Sequence, residues 1–249
     1  MTSSLSPTPP SPAPDRRVTF DAIVDRASGR YRAAGITQWQ VARGKLRGDP
    51  VFRAVWDGPW TAGRTVVDLG CGQGLMLALF ASARESADGV APGESEIPRR
   101  LIGVEMRARS AEIARVALQA HAEIVTGDAR EFTLPSCETV FIFDVLHVLP
   151  AADQDALLAR IARALAPGGT LLLREADAAA GWRFQCVQIS NRFRAMLGGG
   201  RYHHCHFRSA EGWRELLRRH GFTVAVHPMG RGTPFGNVLF AATKPARGI

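Results

Sequence analysis

The segment VVDLGCGQG at residues 66–74 has the clearest chemical pattern in the sequence. In it, Asp68 precedes three glycines in the spacing G-x-G-x-G, which are Gly70, Gly72 and Gly74. Glycines at a strand-to-helix turn let the backbone approach a ligand closely, and the first amides of the helix can bind a negative group. A dinucleotide-binding loop would have glycine where Leu75 stands. The carboxylate of Asp68 instead suits a cofactor that bears a cationic amino group.

Acidic residues also follow three further β-rich runs. Glu105 ends LIGVE, Asp128 follows AEIVTG, and Asp144 follows TVFIF. Because the carboxyl ends of parallel strands meet at one edge of a sheet, we expect these carboxylates to lie near Asp68. A carboxylate such as Glu105 can accept hydrogen bonds from two adjacent hydroxyls. Each residue alone is also compatible with a solvated strand end or a turn former.

His147 is the candidate general base. It follows the fourth β-rich run, at the sheet edge where a substrate should approach, and histidine titrates near neutral pH. A general base is required only where the nucleophile carries a proton, as in a phenol or a carboxylic acid. The alternative interpretation of His147 is a hydrogen-bonded structural residue that packs the turn.

Strands must alternate with helices to bring these residues together, and the pattern from residue 64 onward predicts this alternation. The β-rich runs TVVDLG, LIGVE, AEIVTGD, TVFIFDVL and GTLLLRE are separated by helical segments, which is typical of βαβ units and a parallel sheet. The apolar spacing in DQDALLARIARALAPGG predicts a helix that ends at Gly168-Gly169. Two later runs, FTVAVHPM and NVLFAATK, predict an antiparallel hairpin that completes an α/β fold of seven strands.

Three regions are expected along the chain. Residues 1–17 form a Pro-rich tail, with five prolines in residues 3–14, whose composition is typical of disorder. Residues 18–63 contain short helical patterns and are predicted to form an N-terminal helical cap. Residues 64–249 form the α/β domain, in which an insertion at 176–208 is expected to cover the substrate.

In this order, the motifs resemble those of the class I (Rossmann-like) S-adenosylmethionine-dependent methyltransferases. The resemblance covers roughly residues 64–243 and implies S-adenosyl-L-methionine (SAM) as the cofactor. It implies a doubly wound sheet of seven mostly parallel strands, with a closing antiparallel hairpin and the N-terminal helical cap. The residues that it implies for cofactor binding are Asp68, Gly70, Cys71, Gly72, Gly74, Glu105, Met106, Asp128, Ala129 and Asp144.

The resemblance also implies a role for each motif. Asp68 and the glycine loop hold the methionine end of SAM, and Glu105 accepts hydrogen bonds from the ribose hydroxyls. Asp128 accepts a hydrogen bond from the adenine amine. The segment FDVLH, which contains Asp144 and His147, lies beside the methyl group that is transferred. Enzymes that methylate amino groups of nucleic acids carry an Asn/Asp-Pro-Pro-aromatic motif there, so this segment disfavours the DNA-adenine class.

Charge is unevenly distributed along the chain. The formal net charge is +8 and the pI is about 10.3. Residues 1–63 are net +4, residues 64–180 net −5, and residues 181–249 net +9. Because the basic segments are expected to build the acceptor side, the sequence predicts an anionic small-molecule acceptor. The candidates are a carboxylate, a phenolic acid, and an acyl group on an acidic acyl carrier protein or on coenzyme A. An arginine-rich coding bias is an alternative source of part of the excess.

Two other functions are left open by the sequence. The basic flanks are compatible with binding the phosphates of RNA or another nucleic acid, although no RNA-binding module is recognisable and nucleic acid is the less favoured partner. A non-catalytic scaffold with a SAM fold is the third hypothesis, which the complete set of motifs disfavours. The segments ARGKLRGDPVF and GTPFGNVLF also resemble bacterial methyltransferases of pigment or polyketide-type pathways, including aryl polyene pathways. That resemblance adds a phenolic ring carbon or oxygen to the acceptors.

Metal, membrane and export features are not expected. The contiguous residues His203-His204-Cys205-His206 cannot easily converge on one tetrahedral ion, and the remaining cysteines are scattered along the chain. No run approaches the ~18 apolar residues of a membrane span. The N-terminus lacks the basic and apolar regions of a secretory signal, so we expect a cytoplasmic protein with reduced thiols. The sequence leaves the oligomeric state open.

Overall fold

The computed structural model describes residues 19–58, 64–87, 98–196 and 205–246. The predicted Pro-rich tail at 1–17 and the pair His203-His204 lie outside these residues. The middle of the polar loop that precedes the second predicted strand, residues 88–97, also lies outside them.

The N-terminal segment folds as three α-helices and one 3₁₀ turn. They are α1 (Phe20–Gly29), the turn Arg30–Ala34, α2 (Ile36–Gly48) and α3 (Pro50–Asp57). The hydroxyl of Thr19 caps α1 by accepting a hydrogen bond from the amide of Ala22 at 3.4 Å. The carboxylate of Asp49 caps α3 by accepting one from the amide of Val51 at 3.1 Å. We call these helices and the turn the cap.

One sheet of seven strands follows the cap in the chain. Its strands are β1 (Thr65–Leu69), β2 (Arg100–Glu105), β3 (Glu123–Thr126), β4 (Cys137–Phe143), β5 (Leu165–Ala176), β6 (Thr223–Pro228) and β7 (Asn237–Thr243). They lie in the order β3-β2-β1-β4-β5-β7-β6. Strands β1 to β5 are parallel, and β7 pairs antiparallel with both β5 and β6. This arrangement confirms the predicted doubly wound sheet with its closing antiparallel hairpin.

Helices cover both faces of the sheet. They are α4 (Leu75–Ala87), α5 (Ala108–Leu118), α6 (Ala151–Ala164), α7 (Trp182–Met196) and α8 (Ala210–Arg219). The cap, α4 and α5 enclose one apolar core, and α6 and α8 enclose the other. Successive strand residues face opposite sides, so Phe141 joins the first core while Val140 and Ile142 join the second.

The predicted end of the sixth helix is wrong. The sequence places it at Gly168-Gly169, whereas α6 ends at Ala164 and β5 begins at Leu165. Pro167 has no N–H to continue the helix and disfavours the helical conformation of the residue before it. The two glycines instead lie within a shift in the β4–β5 register, between Leu165 and Thr170, where the amide of Gly168 donates to the carbonyl of Lys244 at 2.9 Å.

The C-terminal elements follow the sequence pattern more closely. Ser209 caps α8, because its hydroxyl accepts a hydrogen bond from the amide of Gly212 at 3.1 Å. The apolar side chains Trp213, Leu216 and Leu217 of this helix are all buried. Among the described helices, none combines the length and the apolar character that a bilayer crossing requires.

Candidate active site

A cavity of about 870 Å³ opens at the carboxyl ends of β1 to β5. It extends from the glycine loop, past the residues that follow each strand, to α2 and α3 of the cap. The predicted site residues that line it are Asp68, Gly70, Cys71, Gly72, Glu105, Met106, Asp128, Ala129 and Asp144. Gly74 and His147 are not among its lining residues.

Two glycines of the loop combine a left-handed backbone with a close neighbour. Gly70 and Gly74 have φ angles of +79° and +76°, in the left-handed region that side chains rarely adopt. A Cβ atom at Gly70 would clash with Val145, and one at Gly74 would lie 2.7 Å from Leu118 Cδ1. The loop is tied to β2, because the amide of Gly70 donates to the carbonyl of Val104 at 2.7 Å. These constraints fix the loop backbone where it lines the cavity.

Asp68 is a buried carboxyl group at the floor of the cavity. Its residue surface is 4% exposed. Burial, and then the negative charge of Glu105, raise the pKa of Asp68 to about 8. A cation placed beside Asp68 would offset the cost of burying its negative charge, and the carboxyl group would then ionise.

Glu105 is held in its charged form by a network of donors. Its Oε1 accepts hydrogen bonds from the amide and Nε of Arg107, both at 2.8 Å, and its Oε2 accepts one from the amide of Gly72 at 3.0 Å. Burial alone would raise the pKa of Glu105, but the bonds from Arg107 and Gly72 outweigh it and lower the pKa. The Arg107 side chain is 51% exposed, so it can move aside for another donor at low cost.

The carboxylate of Asp128 also accepts hydrogen bonds from a nearby arginine, as that of Glu105 does. Arg130 Nη2 donates to Asp128 Oδ2 at 2.7 Å, and Arg130 Nη1 reaches Asp153 Oδ2 at 2.8 Å. The neighbouring Ala129 lines the cavity as well. A ligand amine at Asp128 would therefore share or replace the contact with Arg130.

An ion triad that the sequence analysis missed lies at the opposite end of the cavity. Arg174, at the carboxyl end of β5, binds Asp49 of the cap and Asp144 of β4's following turn. Its Nη1 lies 2.6 Å and 2.7 Å from the two carboxylate oxygens of Asp49, and its Nε lies 3.2 Å from Asp144 Oδ1. Asp144 itself has a left-handed φ of +58°, which is uncommon outside glycine. The triad therefore ties the cap to the ends of β4 and β5.

The cap also contacts the cofactor loop. The hydroxyl of the fully buried Tyr31 donates to the carbonyl of Gln73 at 2.7 Å, and Gln73 Nε2 donates to Gln38 at 3.0 Å. Lys45 and Phe52 of the cap line the cavity. These contacts make the cap one wall of the site.

His147 is packed beneath the site rather than along it. Its Nδ1 lies 2.7 Å from Glu175 Oε2, and its amide donates to Glu175 Oε1 at 3.2 Å. The imidazole stacks on Phe207 with 4.8 Å between ring centroids, and the residue is 5% exposed. This environment supplies the partners that a structural histidine needs, and the role of general base stays a prediction.

Metal binding finds no support in the described part of the chain. Within it, no group of three or more His, Cys, Asp or Glu side chains is placed to hold an ion. Cys71 lies in the loop, where burial and the charges of Asp68 and Glu105 raise the pKa of its thiol.

The arrangement fits SAM at the glycine-loop end of the cavity. The carboxylate of the buried Asp68 would be stabilised by the ammonium group of SAM, and the backbone of the glycine loop lines the cavity where the methionine chain would lie. Glu105 and Asp128 stand at the ends of adjacent strands, where they present acceptors for hydroxyl and amine donors.

The strand order and the acidic residues at the strand ends define the class I, Rossmann-like fold of SAM-dependent methyltransferases. The chain belongs to the family described as a methyltransferase domain, which it matches over residues 17–227. That match spans the cap and most of the sheet.

Curated relatives carry a related name. Carboxy-S-adenosyl-L-methionine synthase from Mannheimia succiniciproducens is 32% identical over 161 residues, which are 63% of this chain and 58% of that protein. The protein of the same name from Actinobacillus succinogenes is 31% identical over 156 residues, or 61% and 56% of the two chains. The chain therefore spans less than two thirds of the length of these relatives.

Solved structures share the fold. An O-methyltransferase family protein from Burkholderia thailandensis has a TM-score of 0.62 at 18% identity, over 87% of this chain and 63% of that one. Human N-acetylserotonin methyltransferase in complex with SAM has a TM-score of 0.57 at 17% identity, over 95% and 61%. At these identities the likeness shows the fold alone.

Proposed function

We propose that this chain transfers the methyl group of SAM to an anionic small molecule: a carboxylate, a phenol or a carrier-bound acyl group. One observation carries the proposal. A single continuous cavity joins the residues expected to hold SAM to two cationic side chains near the cap, Lys45 and Arg174. Cations at that end suit an acceptor that brings negative charge.

The chain's own residues would mainly bind and orient. SAM, when bound, supplies an electrophilic methyl group on a sulfonium centre. Asp68 would hold the amino group as a carboxylate, Glu105 the ribose hydroxyls and Asp128 the adenine amine. The cap, through Val51 and Phe52, would exclude water from the acceptor end. Positioning of this kind supplies much of the rate when the cofactor brings the reactive group.

An ionised acceptor requires no general base. The described lining of the cavity contains no histidine, which suits a carboxylate or a phenolate. If the acceptor is a protonated phenol, His147 is the base we propose. Its imidazole would then need to reach the cavity from its position beside Glu175 and Phe207.

The basic flanks contribute less to the cavity than their charge implies. Among the described residues, Lys45 is the only basic residue of 1–63 that lines it, and none of 176–249 does. No described residue of the insertion at 176–208 lines the cavity. Its role as a cover for the acceptor stays a proposal. The net charge of +9 in residues 181–249 instead supports delivery of the acceptor by an acidic acyl carrier protein.

We also propose that the chain acts in the cytoplasm. All four cysteines are free thiols, which suits a reducing compartment. Cys71 and Cys137 are held among the strands and loops of the α/β domain, and Cys186 and Cys205 lie in the C-terminal region.

A second candidate function follows from the curated relatives. Their name describes synthesis of a carboxylated SAM, and the identity of 32% brings this activity into consideration for this chain. Arg174 supports it, because a buried guanidinium at the cavity is a suitable partner for a carboxylate. The two candidates leave different nucleoside products.

Mass spectrometry of both products tests the proposal. The protein is incubated with SAM and a panel of aromatic carboxylates, phenols and carrier-bound acyl groups. Methyl transfer predicts a methylated acceptor and an equal amount of S-adenosylhomocysteine, with neither formed by Asp68→Ala. A carboxylated S-adenosyl product would establish the second candidate instead. No methylated product from any member of the panel would count against methyl transfer.

A further inference from the structure

We propose that Arg174 is the binding site for the anionic group of the acceptor, and that Asp49 occupies this site until the acceptor displaces it. The inference rests on the proposed function, because it names the residue that selects an anionic acceptor. It also assigns a role to the joint between α2 and α3, where Asp49 lies.

The guanidinium of Arg174 is bound by two carboxylates, those of Asp49 and Asp144. Arg174 is 7% exposed, and its Nη1 binds both oxygens of Asp49 at 2.6 Å and 2.7 Å. Its Nε and Nη2 bind Asp144. All three residues line the cavity, so a ligand in the cavity can reach the triad. A carboxylate already seated on the arginine marks the chemistry that this position accepts.

The charge of the triad requires that an anionic ligand replace Asp49 on Arg174 and not bind in addition to it. One guanidinium and two carboxylates leave the triad with a formal charge of −1. An anion that approached the intact triad would face Asp49 and Asp144 in a partly desolvated cavity and would be repelled. An anion that replaces Asp49 leaves the charge around Arg174 unchanged. An anionic acceptor can therefore bind at this position only when Asp49 leaves it.

Asp49 is the carboxylate that can leave. Its side chain is 31% exposed, so its charge can return to water. It also keeps a bond after release, because its Oδ1 caps α3 at the amide of Val51. The Asp144 side chain is 37% exposed, but its backbone is anchored at the end of β4, because its amide donates to the carbonyl of Arg174 at 3.0 Å. Asp49 instead lies on the cap, between two helices. The α2–α3 joint is a single residue, so a small change there moves the cap wall of the cavity.

Calorimetry on Asp49→Asn tests the displacement directly. Asparagine caps helices as well as aspartate does, so α3 should persist while the competing carboxylate is removed. With S-adenosylhomocysteine bound, 4-hydroxybenzoate and the neutral 4-hydroxybenzamide are titrated into wild type and variant. We expect the benzoate to bind about tenfold more tightly to Asp49→Asn, the scale of a charged hydrogen bond, and the benzamide to bind equally to both.

Two further variants control the measurement. Asp25→Asn removes a carboxylate of the cap that does not line the cavity and whose Oδ1 lies 2.7 Å from Arg47 Nη2. This variant should change the affinity for neither ligand. Asp49→Ser keeps a capping side chain and replaces Asp49→Asn if that variant is unfolded. Adding Arg174→Lys to Asp49→Asn should abolish the gain, because lysine lacks the planar fork.

The outcomes separate this inference from the proposed function. Benzoate affinity that is unchanged or weaker in Asp49→Asn, an equal gain for benzamide, or no binding of either ligand would overturn the role of Arg174. The titration needs no turnover, so it decides the inference even if no methyl transfer is found. Methyl transfer to anions with unchanged affinity in Asp49→Asn would leave the proposed function standing without this site.

Discussion

The carboxylates around the cavity differ in what controls their charge. Glu105, Asp128 and Asp144 each bond to an arginine, and at Glu105 the bonds from Arg107 and Gly72 lower the pKa. The charge of Asp68 is controlled by burial, which together with Glu105 raises its pKa to about 8. Cofactor binding and proton release are therefore coupled at Asp68.

The affinity for S-adenosylhomocysteine should rise with pH. Below pH 8 the free protein holds a proton on Asp68, because its pKa is about 8. The ammonium of the ligand binds the carboxylate, so binding releases that proton and strengthens about tenfold per pH unit until the rise levels above the pKa. Calorimetry between pH 6 and pH 9 measures this slope. Asp68→Asn should bind weakly with a flat profile, and a flat profile in the wild type would contradict the coupling.

A matched pair of glycine variants should separate backbone strain from the close approach in the cofactor loop. Gly70 and Gly168 share a φ of +79°, but only at Gly70 would a Cβ atom clash, with Val145. Gly168→Ala should lower the free energy of unfolding by about 1 kcal/mol and spare cofactor affinity. Gly70→Ala should cost more and weaken cofactor binding at least tenfold. Urea unfolding and calorimetry measure both, and equal effects in the two variants would argue against a tight loop.

At the scale of elements, the turn after β4 joins the cofactor edge to the C-terminal segment. His147 lies in this turn, binds Glu175 at the end of β5, and accepts a hydrogen bond at its carbonyl from the amide of His206 at 2.6 Å. Glu175 is 1% exposed, and its two carboxylate oxygens contact the amide and the imidazole of His147. The turn is therefore held by the contacts of His147 with Glu175 and by the Phe207 ring.

Substitution of His147 should separate its two roles. His147→Ala leaves the carboxylate of Glu175 buried without the imidazole and should lower the free energy of unfolding by about 3 kcal/mol. His147→Gln can still donate to Glu175 and should recover most of that loss. If His147 is the base, the glutamine variant keeps cofactor affinity and carboxylate methylation but loses about 10²-fold or more in kcat with phenols. An unchanged kcat with phenols would leave His147 a structural role only.

The sequence predicted the parts of the site that depend on local order. Asp68, Glu105 and Asp128 each follow a strand within their own motif, and parallel strands bring such residues to one edge. The contact between Arg174 and Asp49 joins residues 125 positions apart, and only packing of the cap brings them together. Arg174 also follows a run of buried leucines, so the rule that identified Glu105 could have identified it. The end of α6 was missed because a proline acts before the glycines that usually mark a helix end.

At the scale of the whole molecule, the net charge of +8 is unevenly distributed along the chain, because both terminal segments are basic and the middle segment is acidic. The described lining of the cavity contains four basic and five acidic residues, so the site itself is not a basic surface. The excess lies largely outside the cavity, in the region that we propose for an acidic carrier. Non-specific binding of nucleic acid would instead require many contacts between basic side chains and phosphates.

RNA binding should depend weakly on salt. The affinity for a single-stranded RNA is measured by fluorescence anisotropy across salt concentrations. We expect a slope in log K against log salt shallower than about −1.4, which corresponds to two phosphate contacts. A slope several times steeper, with affinity retained at physiological salt, would favour the nucleic-acid methyltransferase.

Relative methylation of two matched acceptors tests the central claim most directly. SAM labelled in its methyl group is supplied with an aromatic carboxylate and its neutral amide, and kcat/KM is measured for each acceptor. The account predicts label in the anionic acceptor, at a kcat/KM at least tenfold above that of the amide, with one S-adenosylhomocysteine formed per methyl transferred. Equal or preferential labelling of the amide, or label in neither acceptor, would contradict the account.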